Sequence, residues 1–234
     1  MEPALFLIPV TLGDTSVEQV LPVYNKEIIL PIRHFIVENI RSARRFLKQV
    51  DRNMPIDEIV FYELNKHTSQ EVLSTFLKPL ESGLNIGLLS EAGCPAVADP
   101  GAQIVSLAQK KRIKVVPLVG PSSILLALMA SGFNGQSFAF HGYLPIDKEE
   151  RNHKLKQLEN RLLTENQTQL FIETPYRNDK LLEDIIKICK PTTLLCIAAD
   201  ITLPDEFIQT RSIAEWKKNL PQIGKRPCMF ALGS

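Results

Sequence analysis

The first half of the chain alternates short apolar runs with segments of helical spacing, and this alternation most constrains the fold. Strand-like runs occupy residues 4–10, 33–39, 58–64, 85–90 and 113–119. Apolar residues recur at helical spacing over residues 40–50, 69–83 and 101–111. Strands that alternate with helices are typical of a mostly parallel sheet with helices packed on it. We therefore predict an α/β fold for this half.

The pattern changes after residue 120. A short apolar helix is predicted over residues 124–131, and charged helical segments over residues 148–166 and 177–189. Four strand-like runs surround them, at residues 137–144, 168–174, 193–199 and 228–233. This half has more strands per helix than the first, so we predict a second α/β domain. The domains would cover residues 1–119 and 120–234.

Composition narrows the class of protein. The net charge of the 234-residue chain is +1, which gives no overall argument for binding nucleic acid or a membrane. The four cysteines form no C-x-x-C pair and three lie in apolar segments, which predicts reduced thiols in a cytoplasmic protein. The apolar segment 115–133 contains Pro117, Gly120 and Pro121, so it is better explained by two short elements than by a membrane span. The N-terminus lacks a basic region, and we expect no signal peptide.

Several catalytic motifs are missing from the sequence. No G-x-G-x-x-G follows the first strand, and there is no G-x-x-x-x-G-K-[ST], G-x-S-x-G or H-E-x-x-H. This argues against a nicotinamide dehydrogenase, a P-loop nucleotide hydrolase, a serine hydrolase and a zinc protease. The histidines are scattered, and we expect structural or solvated roles for them: His34, His67, His141 and His153.

The turns that follow four of the strands are the best candidates for a site. They read SEAGCPAVADPG at residues 90–101, VGPSS at 119–123, ETPYR at 173–177 and AADIT at 198–202. These turns are rich in small residues and prolines, and open parallel sheets bind ligands at the carboxyl ends of their strands. Each turn alone could be an ordinary connection, but four together favour a binding site.

The order of these motifs resembles the tetrapyrrole methylase superfamily. The chain has LLSEAGCPAVADPG, then LVGPSS, then FAFHGYLP, then LFIETPYR. The branch that methylates the ribose 2′-hydroxyl of a cytidine in 16S rRNA reads roughly D-A-G-T-P-x-x-x-D-P-G, P-G-P-S-A, F-x-G-F-x-P and E-S-P-H-R. The chain looks like a short, divergent member of that branch, and the match covers most of residues 85–177.

The resemblance implies two α/β domains with S-adenosylmethionine held in a cleft between them, usually in a homodimer, and no metal. It implies that the 90–101 turn is a cofactor loop. Transferred residue by residue, the cofactor neighbours are Leu12, Gly13, Glu91, Ala92, Cys94, Ser122, Ser123, Phe140, His141, Gly142, Thr174, Ala199, Thr202 and, as a further candidate, Pro227.

The substrate side of the pattern departs more from the family. The family's A-E-D-T-R-x-T motif becomes VENIRSA, which keeps Glu38 and Arg41 but has Asn39 for the aspartate. Glu38 and Glu173 are the candidate bases, with Arg41 and Arg177 to position phosphates or orient the carboxylates. For Glu173 and Arg177, a structural ion pair explains the spacing equally well.

The expected substrate is ribosomal RNA or the small ribosomal subunit. Residues 33–52 hold six basic side chains and two acidic ones, a local stripe able to neutralise phosphates. Two other functions remain open at this point. One is methylation of a tetrapyrrole or another small molecule, and the other is a paralogue that binds the cofactor without catalysis.

Overall fold

The computed structural model describes residues 2–65 and 68–234. The chain forms two compact units, the first ending at Ser122 and the second beginning at Ser123. Each unit is built on its own five-stranded sheet with helices, so the predicted α/β class is confirmed. The division into independently folding domains at residue 120 stays a prediction.

The first unit contains five strands and six α-helices in its described part. The strands are β1 (Ala4–Ile8), β2 (His34–Val37), β3 (Val60–Glu63), β4 (Ile86–Leu89) and β5 (Lys114–Pro117). The helices are α1 (Val17–Val20), α2 (Val23–Ile29), α3 (Ile40–Val50), α4 (Gln70–Phe76), α5 (Lys78–Glu81) and α6 (Gly101–Lys110). A 3-10 turn at Ile56–Glu58 precedes β3.

The first sheet has the strand order β3-β2-β4-β1-β5, and every pairing in it is parallel. The predicted parallel sheet is therefore confirmed. The first strand in the chain sits between the last two, since Leu5 is opposite both Ile86 of β4 and Val115 of β5. All five strands point the same way, so the loops that follow them lie at one edge.

Both faces of the first sheet are buried, as a parallel sheet requires. On one face, Phe46 and Leu47 of α3 pack with Ile8 and Phe35 of the strands. On the other face, residues of α4, α5 and α6 pack against Ile36 and other strand residues. The sheet therefore holds α3 rigidly beside the loops at its carboxyl edge.

The second unit contains five strands and four α-helices. The strands are β6 (Phe138–Tyr143), β7 (Thr168–Ile172), β8 (Leu194–Ala199), β9 (Phe207–Ser212) and β10 (Cys228–Gly233). The helices are α7 (Ser123–Ser131), α8 (Lys148–Glu165), α9 (Asn178–Ile188) and α10 (Ile213–Lys218). A 3-10 turn at Pro175–Arg177 connects β7 to α9.

The second sheet is mixed, with the order β6-β7-β10-β8-β9. β6 and β7 are parallel, while β10 is antiparallel to both of its neighbours, β7 and β8. The carboxyl ends of β6, β7 and β8 therefore share one edge with the start of β10. Helices α8, α9 and α10 pack on one face around Phe171, Phe230 and Trp216, and the Trp216 indole donates to the Leu195 carbonyl at 2.9 Å.

Local sequence accounts for where several helices begin and end. Asp147 caps α8 by accepting from the amides of Glu149 and Glu150, and Asn166 ends it in the left-handed conformation. Ser212 and Glu215 form a reciprocal capping box on α10. All four cysteines are free, as predicted, and all except the half-buried Cys94 are buried.

Candidate active site

The loops that follow β1, β4 and β5 meet at the carboxyl edge of the first sheet. The amide of Val10 donates to the Gly93 carbonyl at 3.0 Å, which joins the first two loops. Gly93 has a φ of +68°, and a Cβ there would lie 3.1 Å from Leu12 Cδ2 and 3.2 Å from the Pro121 carbonyl oxygen. The glycine is thus required by both its conformation and its close neighbours. The 90–101 turn is therefore packed against two other loops.

Side chains within the 90–101 turn hold its shape. The Ser90 hydroxyl donates to the Gly93 carbonyl at 2.9 Å, and Cys94 Sγ lies 3.4 Å from the Pro121 carbonyl oxygen. Asp99 accepts from the amides of Ala96 and Gly101 at 2.8 Å each. Burial raises the pKa of the Asp99 carboxyl, and these two amide hydrogen bonds act in the opposite direction. The turn is stiffened before any ligand binds.

A cavity of about 260 Å³ opens between these loops and helix α3. Its wall includes Leu12, Gly13 and Glu91, three of the predicted cofactor neighbours. Ala92, Cys94, Glu38 and Arg41 do not line it. Sequence reasoning missed the contributions of α3 and of the first loop, which include Thr11, Ser42, Arg45 and Gln49. The spacing of 42, 45 and 49 on a predicted helix was the available signal, because these positions share one face.

A hydrogen bond links α3 to the 90–101 turn across this cavity. The Ser42 hydroxyl donates to Glu91 Oε1 at 2.6 Å. The start of the helix is fixed by Asn39, whose side-chain oxygen accepts from the amides of Arg41 and Ser42 at 2.8 and 3.3 Å. Asparagine and aspartate cap helices about equally well. The change from the family's aspartate at residue 39 therefore keeps the geometry of the helix start.

Helix α3 presents an exposed basic face. Arg41, Arg44, Arg45 and Lys48 are all exposed, and their spacing places them on neighbouring turns. Within the described residues, none of these four has a carboxylate partner within 4.0 Å. The Arg44 guanidinium lies over the Phe61 ring at 5.6 Å, and Arg45 also reaches the wall of the cavity. These charges are available to an anionic ligand.

The second unit collects its predicted residues at one edge of its sheet. Phe140, His141 and Gly142 lie at the end of β6, where the pairing with β7 is irregular and Gly142 has a φ of +64°. His141 Nε2 lies 2.7 Å from Gln169 Oε1. Burial lowers the pKa of the His141 imidazole, which favours its neutral form.

Glu173 and Arg177 form an ion pair directly after β7. Glu173 Oε1 accepts from Arg177 Nε at 3.0 Å, from Arg177 Nη2 at 2.5 Å and from the Thr174 amide at 2.6 Å. The Glu173 side chain is only 1% exposed, whereas that of Arg177 is 30% exposed. One carboxylate oxygen with three donors is well placed to fix the turn. This geometry favours a positioning role for the pair.

The loop after β8 carries an unusual backbone and an unsatisfied hydroxyl. Asp200 and Thr202 have φ values of +51° and +70°, a backbone region that residues other than glycine rarely adopt. The Thr202 amide donates to Glu206, but its buried hydroxyl oxygen has no hydrogen-bond partner in the described part of the chain. Strained residues of this kind cluster at ligand sites. The loop is a candidate for direct ligand contact.

The remaining predicted residues have simpler surroundings. Ala199 is fully buried at the end of β8, and the carbonyl of the exposed Pro227 accepts from the Asp200 amide at 3.0 Å. Ser122, on the connection from β5 to α7, and Ser123, the first residue of α7, are half-buried. His67 lies outside the described residues. Within the described residues, no helix is both long and apolar enough to cross a membrane.

Comparisons with known proteins agree on one family. The family model for tetrapyrrole (corrin/porphyrin) methylases matches residues 24–216. A Vibrio cholerae protein named ribosomal RNA small subunit methyltransferase I is 28% identical over 215 residues, which cover 91% of this chain and 70% of the relative. The Haemophilus influenzae protein of the same name is 32% identical over 159 residues, 67% of this chain and 55% of the relative.

Two solved structures share the fold at low identity. The methyltransferase CobJ matches with a TM-score of 0.66 and 14% identity, covering 99% of this chain and 94% of that one. A uroporphyrin-III C-methyltransferase from Thermus thermophilus, solved with S-adenosyl homocysteine, matches with a TM-score of 0.58 and 13% identity, covering 99% and 97%. These two similarities establish the fold alone.

Proposed function

This chain belongs to the tetrapyrrole (corrin/porphyrin) methylase family, and on that premise we propose that it is an S-adenosylmethionine-dependent methyltransferase. Its proposed substrate is ribosomal RNA of the small subunit, and the proposed acceptor is a ribose 2′-hydroxyl. The RNA part of the proposal is supported by relatives named ribosomal RNA small subunit methyltransferase I. The observation that carries it in this chain is the basic face of α3 beside the cavity.

In each unit, residues at the carboxyl edge of the sheet offer groups that S-adenosylmethionine can bind. Thr202 offers a buried hydroxyl that has no hydrogen-bond partner among the described residues, and Gly93 packs closely against the Leu12 side chain. Glu91 supplies a carboxylate on the wall of the cavity, where it can accept from a ligand hydroxyl or ammonium group. The residues proposed to hold the cofactor are Leu12, Gly13, Glu91, Ala92, Cys94, Ser122, Ser123, Phe140, His141, Gly142, Thr174, Ala199, Thr202 and Pro227.

The reaction needs alignment and a proton acceptor from the protein. When bound, S-adenosylmethionine supplies an electrophilic methyl group on a sulfonium sulfur, and the leaving group is the neutral thioether. Holding nucleophile and electrophile in line contributes roughly 7–11 kcal/mol to such reactions. A ribose hydroxyl is a weak nucleophile, and removing its proton to a positioned carboxylate contributes about 10²- to 10⁴-fold.

We assign the base to Glu38 and a positioning role to Glu173. Glu38 directly follows β2 and precedes the capped start of α3, so it lies at the same sheet edge as the cavity loops. Glu173 Oε1 instead accepts from Arg177 and the Thr174 amide, which ties it to its own turn. Arg41, exposed in the first turn of α3, is proposed to contact an RNA phosphate.

We further propose that the enzyme works as a cytoplasmic homodimer, since ribosomal RNA is the substrate and the family resemblance implies a dimer. Sedimentation velocity at several protein concentrations tests the dimer. A single monomeric species at every concentration would contradict it.

The decisive experiment measures transfer of labelled methyl groups to 30S subunits and to naked 16S RNA from a strain lacking this gene. We expect label in ribose, and a loss of kcat of about 10²- to 10⁴-fold in Glu38→Gln. Calorimetric binding of S-adenosyl homocysteine serves as the folding control. Cofactor binding without label in either RNA would refute the rRNA proposal.

The role of α3 is tested by the salt dependence of RNA binding. Each lost phosphate contact reduces the slope of log K against log salt by roughly 0.7–0.9. We expect this reduction in Arg41→Gln and in Arg45→Gln, but not in Arg112→Gln, an exposed arginine at the end of α6. Equal slopes in all three variants and the wild type would exclude α3 as the phosphate-binding face.

A further inference from the structure

Tyr176 is more exposed than any other large apolar or aromatic side chain in the described part of the chain. It is 80% exposed, and it lies in the 3-10 turn Pro175–Arg177 that follows β7. Because the Tyr176 ring is exposed to water, it adds little buried apolar surface to the stability of its own unit. Its position is also notable, because Thr174 and Arg177 on either side belong to the candidate site.

The backbone that carries Tyr176 is fixed on both sides. Glu173 accepts from the Thr174 amide at 2.6 Å and from Arg177 Nε at 3.0 Å. The Arg177 amide donates to the Thr174 carbonyl at 2.9 Å, and the ring of Pro175, the residue before Tyr176, fixes the φ angle there. The ring therefore projects from a rigid turn, so little order has to be gained when something binds to it.

A lysine is held over the Tyr176 ring. Lys225 Nζ lies 4.9 Å from the ring centroid, a cation–π distance. Within the described residues Lys225 has no carboxylate within 4.0 Å. Lys225 and Tyr176 are exposed, which leaves the ammonium group and much of the ring surface accessible.

The loop of Lys225 is tied to the helix that starts beside Tyr176. The Asn178 side chain donates to the carbonyls of Gly224 and Arg226 at 3.2 and 2.8 Å. Asp179 accepts from the amides of Ile223 and Gly224 at 2.8 and 3.1 Å. Asn178 is fully buried. The first two residues of α9 thus hold the lysine in register with the tyrosine.

We propose that Tyr176 and Lys225 bind one unpaired nucleotide of the RNA substrate, with the base stacked on the ring and the phosphate beside the ammonium group. Proteins that read single-stranded RNA stack splayed bases on aromatic rings and neutralise the adjoining phosphates. A rigid, exposed aromatic ring beside an exposed lysine supplies both contacts. This proposal rests on the proposed function as an RNA methyltransferase.

The test compares variants in direct RNA binding and in methyl transfer. Binding is measured by fluorescence anisotropy with a labelled single-stranded oligoribonucleotide of the substrate region and with a duplex of the same composition. Stacking of one base corresponds to roughly 5- to 150-fold in affinity. We expect Tyr176→Ala to weaken single-strand binding and raise the KM for 16S RNA by that factor, with duplex binding unchanged. Tyr176→Phe restores both, since it keeps the ring.

Lys225 and the controls separate stacking from charge and from damage to the fold. Lys225→Gln is expected to reduce the salt slope of RNA binding by roughly 0.7, whereas Tyr176→Ala leaves the slope unchanged. Tyr24→Ala and Lys156→Gln are matched exposed controls on α2 and α8 and are expected to behave as wild type. Binding of S-adenosyl homocysteine shows that each variant is folded.

The outcomes distinguish this nucleotide-site proposal from the proposed RNA methyltransferase function on which it rests. If the wild type transfers methyl groups to RNA and Tyr176→Ala has the same KM and single-strand affinity, the nucleotide site is refuted and the proposed function stands. If Tyr176→Phe fails like Tyr176→Ala, the hydroxyl rather than stacking is responsible, and the proposal is wrong. If the wild type neither binds nor methylates RNA, both fall together.

Discussion

Gly120 lies where the chain leaves the β5 edge, and a methyl group at this position tests whether the strand-end loops pack as one body. A Cβ on residue 120 would lie 2.7 Å from Pro9 Cγ and 3.0 Å from Leu21 Cδ2, and closer still to Pro9 Cβ. Non-bonded carbon atoms pack at about 3.5–4.0 Å, so the contact with Cγ is short by about 0.8 Å. The proline ring cannot rotate away, because it is closed onto its own backbone.

The cost of Gly120→Ala follows from that overlap. Overpacking of one methyl group typically costs about 1–3 kcal/mol, and a rigid neighbour places this substitution in the upper part of the range. Relief requires the chain at Pro9 to move, and the loop that carries Leu12 and Gly13 follows directly. We therefore expect a lower free energy of unfolding together with weaker binding of S-adenosyl homocysteine.

Urea unfolding followed by circular dichroism measures the first effect, and calorimetry measures the second. Gly135→Ala is the matched control, since a Cβ there meets no atom within 4 Å and we expect a change within about 0.5 kcal/mol. The curves are fitted with a transition for each unit, because a chain of two units need not unfold in one step. If Gly120→Ala is as stable as the control and binds the cofactor normally, the packed-loop argument is wrong.

Three further predictions concern the second unit. In Asp184→Asn, Arg151 loses its carboxylate partner at 2.6 Å, and both side chains are at most 7% exposed. We expect the free energy of unfolding in urea to fall by about 3–5 kcal/mol. An unchanged urea midpoint would contradict this. Glu173→Gln weakens the hydrogen bonds to Arg177 and is expected to cost about 1–3 kcal/mol, whereas lost kcat at full stability would instead identify Glu173 as the base. Burial lowers the pKa of His141 in the folded chain, so the unfolded chain takes up this proton first and the free energy of unfolding declines as the pH falls below about 6.5. We expect His141→Gln to flatten this decline when the urea midpoint is measured from pH 7.5 to 5. An unchanged profile would count against this.

Elements with a strong local signal were predictable from sequence. Helix α3 runs from Ile40 to Val50, the bounds that its apolar spacing predicts, because an asparagine cap and a buried stripe agree. The segment 69–83 was predicted as one helix but forms two, α4 and α5, since Pro79 in the first turn of α5 has no amide hydrogen to continue a helix.

Elements that depend on distant partners were missed. Strand β9 reads FIQTRS and is half-buried at every position, so it shows no alternation; it exists because it pairs with β8 along its whole length. Helices α1 and α2 are short and separated by a proline at residue 22, which gives no long periodic pattern. Such segments are set by tertiary contacts, which a single sequence does not contain.

The candidate site was predictable in its location but not in its walls. Strand-end turns with small residues identified the two sheet edges, and Leu12, Gly13 and Glu91 do line the cavity. The contribution of Ser42 depends on the approach of α3 to the 90–101 turn, a contact between residues 49 positions apart. Nor does the sequence show that residues 223–226 are tethered to Asn178 and Asp179, which holds Lys225 over Tyr176.

The central strands of the two sheets constrain how the chain folds as it is synthesised. In the first sheet β1 stays without either neighbour until β4 and β5 have been made, more than 80 residues later. In the second sheet the middle strand is β10, so β7 and β8 cannot be bridged until Gly233 has left the ribosome. Pairings this distant in sequence slow folding, because the chain loses the entropy of loop closure before the stabilising contacts form. Both units therefore pass through a stage with unpaired strand edges, which is when nascent chains depend most on protection from aggregation.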